Sequence, residues 1–88
     1  MSEVIIVTGG SRGIGAATCV LAAAKGYDVV VNCRSDSTAA RGVVDRIRDS
    51  GQRAIVVQAD VAREADVRRL FEETDRQLYH FVDHGSRP

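Results

Sequence analysis

Glycines are concentrated in the segment after the first apolar run, which reads Thr8-Gly9-Gly10-Ser11-Arg12-Gly13-Ile14-Gly15. Glycines let the backbone turn sharply and let a phosphate approach without meeting a Cβ. The alanine-rich helix predicted directly afterwards would present unpaired N–H groups and the positive end of its dipole to the same anion. A glycine-rich turn between a buried strand and a helix therefore predicts a phosphate-binding site.

Two other phosphate-binding motifs do not fit this segment. The spacing from Gly10 to Gly15 matches the glycines of a Walker A loop, but Ala16 and Ala17 stand where that loop needs Lys and Ser or Thr. Without the lysine the β- and γ-phosphates lose their main charged partner, which argues against nucleotide hydrolysis and kinase chemistry. The Gly-x-Gly-x-x-Gly spacing of many dinucleotide folds is also absent.

The pattern that the segment does match is Thr-Gly-x-x-x-Gly-x-Gly, and with it residues 4 to about 78 resemble the N-terminal part of the short-chain dehydrogenase/reductase family. This resemblance implies an oxidoreductase that transfers a hydride between a nicotinamide cofactor and a carbonyl or alcohol. The residues that it implies for the cofactor pyrophosphate are Gly9, Gly13, Ile14 and Gly15, and those beside the adenosine ribose are Ser11 and Arg12.

The end of the second predicted strand indicates which cofactor is bound. A site for NAD places Asp or Glu there to accept from the ribose 2′-OH, whereas this chain has Asn32-Cys33-Arg34-Ser35 and no carboxylate before Asp36. A guanidinium can hold a 2′-phosphate through paired charge-assisted hydrogen bonds. We therefore expect Arg34 and Ser35 to contact the cofactor, with Arg12 beside them, and NADP to be preferred over NAD. The alternative is that both arginines are ordinary surface residues.

The third predicted strand is followed by Asp60 and Val61. By the family resemblance this pair meets the adenine, with the carboxylate accepting a hydrogen bond from the exocyclic amine. The alternative reading is that Asp60 caps the third helix, and both roles can hold together.

The residues that carry the family's chemistry are missing from this sequence. Relatives use a Tyr-x-x-x-Lys pair with a Ser and an Asn, in which the tyrosine passes the proton. Here Lys25 is the only lysine and has Leu21 four positions before it, and neither Tyr27 nor Tyr79 has Lys four positions later. The expected part of the enzyme is the cofactor-binding half, with no catalytic residue and no turnover of its own. A non-catalytic nucleotide-binding or interaction fragment is the alternative.

The last ten residues, 79–88, depart from the family pattern. Val82-Asp83-His84-Gly85 is only a faint echo of the Asn-Asn-Ala-Gly element, which predicts a truncation, a frameshift or an alternative end of the gene product. His80 and His84 would share a face if this segment were a helix, but the glutamate of a His-Glu-x-x-His zinc site is missing. A frayed polar terminus is the better interpretation, and no metal is expected.

Alternating apolar runs and amphipathic segments supply the elements that position these residues. Strands are predicted at 4–7, 29–33 and 55–59, and helices at 14–25, 37–50 and from about 62 to 78. A β-α-β-α-β-α order calls for parallel strands with right-handed crossovers, so the fold class is α/β. We predict a Rossmann-type doubly wound sheet, of which residues 1–78 form the N-terminal half, with strand order 3-2-1. The first strand would then leave an open apolar edge, a template for self-association.

Composition sets the outer limits of the interpretation. The chain has 88 residues, is 44% hydrophobic, and carries 12 basic and 12 acidic side chains, so its net charge is zero. A neutral chain lacks the electrostatic footprint of a nucleic-acid-binding or membrane-surface protein, and its apolar runs are too short to span a bilayer. Cys19 and Cys33 have no paired spacing, and the residues after Met1 do not resemble a secretory signal. A reduced, cytoplasmic protein is expected.

Overall fold

The computed structural model describes residues 3–11, 13–35 and 37–79. Strands and helices alternate along this part of the chain, as the sequence pattern predicts. They are β1 (Val4–Thr8), α1 (Gly13–Ala24), β2 (Asp28–Cys33), α2 (Ser37–Asp49), β3 (Ala54–Gln58) and α3 (Glu64–Thr74), followed by a π-helical turn (Asp75–Tyr79). The chain turns back after α1 at Gly26 and after α2 at Gly51, both of which have a φ of 97°.

The three strands form one parallel sheet in the order β1-β2-β3, with β2 in the centre. Thr8 lies opposite Asn32 and Cys33 lies opposite Gln58, so the three strands end at nearly the same level. The predicted α/β class, parallel sheet and strand order are confirmed. Loops that leave the carboxyl ends of such strands meet at one edge of the sheet.

Helices α1 and α2 cover one face of the sheet and pack against each other. The apolar positions of α2 share one face, as helical spacing predicts, and Ala40, Val43, Val44 and Ile47 are all buried there. Burying a side chain the size of Ile47 contributes about 2–3 kcal/mol to folding, so these few residues hold much of the core. Residues of α1, chiefly Cys19, complete this cluster against the odd-numbered valines of β2.

Helix α3 and the π-helical turn cover the opposite face. Leu70 and Leu78 are buried against Val30 of β2 and Val57 of β3. Phe71, which the sequence pattern places on the same apolar side, is 57% exposed instead. The contact runs through residues four apart, from Leu70 to Thr74 to Leu78, and Phe71 is rotated about 100° away from that line.

The amino ends of the strands are held by one buried acid. Asp28 begins β2, and its Oδ2 accepts hydrogen bonds from Nε and Nη2 of Arg53 at 3.1 and 3.0 Å. The same Arg53 donates to the carbonyl of Leu78 at 2.9 Å, and Gln52 donates to Oδ1 of Asp28 at 3.3 Å. These bonds fasten the π-helical turn to the edge of the sheet where the strands begin.

In the described part of the chain, no helix reaches the length and apolar character that crossing a bilayer requires.

Candidate functional site

The predicted site residues lie in the three loops that follow the strands. The glycine-rich turn follows β1, Arg34 and Ser35 follow β2, and Asp60 and Val61 follow β3. Because the strands are parallel and end together, all of these loops lie along the carboxyl edge of the sheet. Arg12, the other predicted cation, lies outside the described residues.

The glycine-rich turn has the geometry of a backbone cradle. Gly9 and Gly13 have φ values of 66° and 55°, in the left-handed region that favours glycine. A Cβ on Gly15 would lie 2.2 Å from the carbonyl oxygen of Gly9, so only glycine allows the first turn of α1 to approach the preceding loop. Around Gly9 and Gly13, by contrast, a Cβ would have no neighbour within 4 Å. The backbone there is open to a ligand, which fits a pyrophosphate.

The beginning of α1 is also accessible to an anion. The helix begins at Gly13, and the side chain of Ile14 is 87% exposed, whereas Ser11 is half-buried. The first N–H groups of a helix have no partner within it and carry the positive end of the dipole. The free N–H groups and the exposed start of α1 together suit a negatively charged group that is held mainly by the backbone.

Gly10, which the sequence motif treats as a variable position, is the buried point on which the turn rests. Its N–H donates to the carbonyl of Asn32 at 3.1 Å, which ties the turn to the central strand. The thiol of Cys19 donates to the carbonyl of Gly10 at 3.8 Å, and a Cβ on Gly10 would lie only 2.9 Å from that Sγ. Burial raises the pKa of the Cys19 thiol, which keeps it protonated and able to donate. No spacing rule pairs residues 10 and 19, so only the packing shows this contact.

Arg34 and Asp60 approach each other across the ends of β2 and β3. The Nε of Arg34 is 3.8 Å from Oδ2 of Asp60, and the Arg34 side chain is 81% exposed. Gln58 donates from Nε2 to the carbonyl of Arg34 at 3.2 Å, which fixes the backbone but leaves the guanidinium to solvent. An exposed ion pair at this distance is weak, so the guanidinium can turn toward a stronger anion.

Asp60 closes the turn before α3 and does not cap the helix. Its Oδ1 accepts from the N–H of Ala62 at 2.9 Å, and its own N–H donates to Oδ2 of Asp66 at 2.8 Å. The N-cap residue is Arg63, which makes no side-chain capping bond. The alternative that Asp60 caps the third helix is therefore wrong, and Oδ2 of Asp60 faces Arg34. Val61 beside it is half exposed.

A cavity of about 390 Å³ lies between these loops. It is lined by Arg34, Gln58, Ala59, Asp60, Asp66 and Arg69. Gln58, Asp66 and Arg69 were not selected from the sequence, because their types are ordinary for a strand end and a solvated helix face. Other recesses of about 280 and 460 Å³ are formed by α2, β3 and the π-helical turn and contain none of the predicted site residues.

Metal-ligating groups do not cluster in the described residues, where no three His, Cys, Asp or Glu side chains come together. The pair His80 and His84, and the segment 82–85 that faintly resembles a family element, lie outside the described residues. Cys19 and Cys33 are both buried, and no disulfide joins them.

Comparison with known proteins finds relatives for this arrangement. The family model described as short chain dehydrogenase matches residues 3–83. A hydroxynaphthalene reductase-like protein, Arp2, of Metarhizium guizhouense is 43% identical over 79 residues, which is 90% of this chain and 28% of that protein. A 3-oxoacyl-(acyl-carrier-protein) reductase of Synechocystis is 49% identical over 73 residues, covering 83% of this chain and 30% of that one.

Solved structures agree with the sequence relatives. The promiscuous reductase LugOII, which catalyses keto-reduction at C1 during lugdunomycin biosynthesis, superposes with a TM-score of 0.82 at 38% identity. That match covers 91% of this chain and 32% of the reductase. The chain thus spans about 30% of the length of the relatives that it matches.

Proposed function

This chain belongs to the short chain dehydrogenase family, and we propose that it is the NADP(H)-binding part of an oxidoreductase. The family binds a nicotinamide dinucleotide, which supplies or accepts a hydride when bound. In this proposal the glycine-rich turn holds the pyrophosphate through its backbone, and the residues after β2 and β3 hold the adenosine end. The relatives include a 3-oxoacyl-(acyl-carrier-protein) reductase and a reductase that catalyses keto-reduction, which suggests a carbonyl or alcohol substrate.

The observation that carries the choice of NADP is the exposed Arg34 at the end of β2. No carboxylate precedes Asp36 in that loop, so the position where an NAD site places an acid to accept from the ribose 2′-OH carries none. A phosphate has more charge and more acceptor oxygens than the carboxylate of Asp60, and a guanidinium can grip two of them at once. Ser35, also exposed, is a second donor within the same loop.

Titration of the purified chain with NADPH and with NADH, followed by fluorescence, tests this choice. The wild type should bind NADPH about tenfold or more tightly than NADH, and Arg34→Asp should shift the ratio toward NADH. Arg46→Asp is the matched control, because it makes the same charge change in the last turn of α2, at the opposite end of the sheet. An unchanged ratio of NADPH to NADH affinity in Arg34→Asp would contradict the NADP assignment.

We propose that these residues bind the cofactor without turning it over. The sequence contains no Tyr-x-x-x-Lys, so no side-chain pair is present to pass a proton to a carbonyl oxygen. Mixing the chain with NADPH and a panel of ketones and aldehydes should oxidise no cofactor above background. Turnover by the pure chain would contradict the proposal, whereas turnover only after adding a protein that supplies Tyr and Lys would support it.

A non-catalytic nucleotide-binding or interaction fragment is the second candidate, and the absence of a Tyr-x-x-x-Lys pair favours this candidate too. The two candidates differ in their prediction for added partner proteins, since a non-catalytic fragment gains no activity from any of them.

A reducing compartment such as the cytoplasm suits both candidates, because both cysteines are thiols. Fractionation of cells that produce the chain tests the compartment.

Self-association through β1 is part of the proposal. Among the described residues no strand lies beside β1 on the side away from β2, and Val4 to Val7 are only half-buried. Helix α1, next to it, carries no charged side chain and leaves Val20 and Leu21 exposed. If two copies pair their β1 strands antiparallel about a two-fold axis normal to the sheet, their α1 helices come side by side. Unpaired strand edges of this kind promote pairing.

Light scattering over a range of protein concentrations tests the association. Leu21→Glu, at a position 62% exposed, should shift the chain toward monomer without disturbing the core. Phe71→Glu is the matched control, because Phe71 has a similar exposure of 57% but lies on α3, on the other face of the sheet. A wild-type chain that stays monomeric at all concentrations would rule the association out.

A further inference from the structure

Asn32 differs from the other polar residues buried in the described part of the chain. The three are Asp28, Asn32 and Thr74. Asp28 lies at the amino edge and pairs with Arg53, and the hydroxyl of Thr74 donates to Leu70 in its own helix at 2.8 Å. Asn32 is the one at the carboxyl edge, among the cofactor loops, and it is only 2% exposed.

The side-chain amide of Asn32 bridges to the neighbouring strand. Its Nδ2 donates to the carbonyl oxygens of Val57 and Ala59 at 3.1 and 3.2 Å. The nitrogen must face these carbonyls, because the amide oxygen in its place would oppose two other acceptors. An amide is the neutral side chain with two donors on one atom, so it suits two carbonyls two residues apart.

These bonds determine how the chain leaves β3. Ala59 is the first residue after the strand, and its N–H donates to the carbonyl of Cys33 at 2.9 Å. Because its own carbonyl accepts from Asn32, both the N–H and the carbonyl of Ala59 are bonded to β2. Asp60 and Val61 follow immediately, so their direction depends on this anchor.

The main chain of the same residue holds the other side of the site. The carbonyl of Asn32 accepts from the N–H of Gly10 at 3.1 Å, which is the bond that ties the glycine-rich turn to the sheet. Arg34 follows two residues later. The glycine-rich turn, the loop with Arg34 and the segment after β3 are therefore all connected to Asn32. A substitution of Asn32 removes only the side-chain connection to the segment after β3.

We propose that Asn32 is a positioning residue of the dinucleotide site, whose side-chain amide sets Asp60 and Val61 in place for the adenosine end of the cofactor. This inference rests on the function proposed above. An apolar β-branched residue would suit the strand better, since β2 otherwise continues a run of buried valines. Burying an amide is unfavourable unless it is fully bonded, so its presence fits a task beyond packing.

The test compares binding with stability in Asn32→Val. Valine suits a buried strand, keeps the main-chain bond to Gly10 and removes both side-chain donors. NADPH and adenosine 2′,5′-bisphosphate, a ligand with only the adenosine end, should each bind about tenfold more weakly. The urea midpoint should fall modestly, because the carbonyls of Val57 and Ala59 lose a donor, so binding is measured where each variant is folded. Asn32→Leu, closer in shape to asparagine, provides a second variant should valine prevent folding.

Thr74→Val is the matched control. It removes a buried hydroxyl of similar burial from α3, which packs on the same face of the sheet, and touches no cofactor loop. It should change stability and leave both affinities unchanged.

The outcomes separate the two levels of the inference. If the wild type binds and a folded Asn32 variant binds equally well, the positioning role is overturned and the proposed function stands. If the wild type binds neither NADPH nor NADH, the proposed function falls and takes the positioning role with it. If neither Asn32 variant folds, the residue serves folding and the positioning role is also overturned.

Discussion

The two edges of the sheet are each organised by one buried polar residue of β2, and they do different work. At the amino edge Asp28 pairs with Arg53, whose second bond reaches the carbonyl of Leu78. At the carboxyl edge Asn32 bonds backbone groups of the described residues, in the turn after β1 and at the end of β3. At the amino edge side chains bond one another and the backbone of the π-helical turn, whereas the carboxyl edge leaves open backbone and exposed side chains along a cavity.

This difference indicates where stability and binding can be separated. A charged pair ties the helical turn to the sheet and should matter for folding. The hydrogen bonds of the Asn32 amide and carbonyl orient the loops at the carboxyl edge and should matter for ligand affinity. Substitutions at the two edges should therefore affect different measurements.

The largest expected effect on stability is that of Asp28→Ala. It removes a buried acid whose partner Arg53 is 46% exposed and loosens the tie between the π-helical turn and β2, so the free energy of unfolding should fall by about 1–3 kcal/mol. Urea unfolding measures this loss, and NADPH affinity at low urea should not change in the folded protein. Asp45→Ala, on the exposed side of α2, is the control and should be nearly neutral. A loss of affinity that matched the loss of stability would show that the edges are not separable.

The largest expected effect on binding is that of Gly15→Ala. A Cβ at 2.2 Å from the Gly9 carbonyl must push the turn away from α1, and NADPH should bind about 100-fold more weakly or not at all. Gly42→Ala is the matched control, because a Cβ at this exposed helical glycine has no neighbour within 4 Å. It should stabilise the chain by about 0.5–1 kcal/mol and leave affinity unchanged. Equal affinities in the two variants would contradict the assignment of the turn to the pyrophosphate.

A smaller effect is expected where the glycine-rich turn meets the core. Gly10→Ala places its methyl 2.9 Å from Sγ of Cys19, so the variant alone should destabilise the chain. Cys19→Ala vacates that space at its own cost, and the double variant should recover about 1 kcal/mol relative to additive behaviour. A double-mutant cycle on urea unfolding measures this coupling. Strict additivity would mean that the turn moves away from Cys19 instead.

The smallest effect concerns pH and lies at the end of α3. Hydrogen bonds from Gln77 and Arg76 lower the pKa of Glu73 on α3, so the folded chain binds this proton more weakly than the unfolded chain does. The resulting stabilisation is present above the ordinary glutamate pKa and is lost as the pH falls through the lowered value. Unfolding measured from pH 6 to pH 3 should show a slightly shallower loss of stability in Glu73→Gln. Identical profiles would mean that this exposed cluster contributes nothing.

Much of the fold could be predicted because its signals are local. The apolar spacing of Ala40, Val43, Val44 and Ile47 identifies α2 and its buried face. Phe71 shows the limit of this reasoning, since periodicity cannot tell which side of a wide apolar stripe the sheet will cover. Helical and strand periods determine faces, but neighbours decide how much of each face is buried.

The site divides in the same way. Glycines at 9, 13 and 15 and the absence of a carboxylate after β2 can be read from residue types alone, because phosphate approach and charge are properties of the types. The capping alternative for Asp60 failed because the turn bond to Ala62 depends on how the chain leaves β3. Asn32 could have been noticed as a lone amide after three valines, a polar group that a buried strand does not otherwise accept.

The sequence by itself determined the α/β order, the parallel sheet, the glycine-rich turn and the missing Tyr-x-x-x-Lys, because each depends on residue type and spacing along the chain. Only the tertiary structure decided that Cys19 lies under Gly10, that Arg34 faces Asp60, and that Asn32 joins the loops of the carboxyl edge. Those contacts join residues 9 to 27 positions apart, and they exist only once the strands lie side by side.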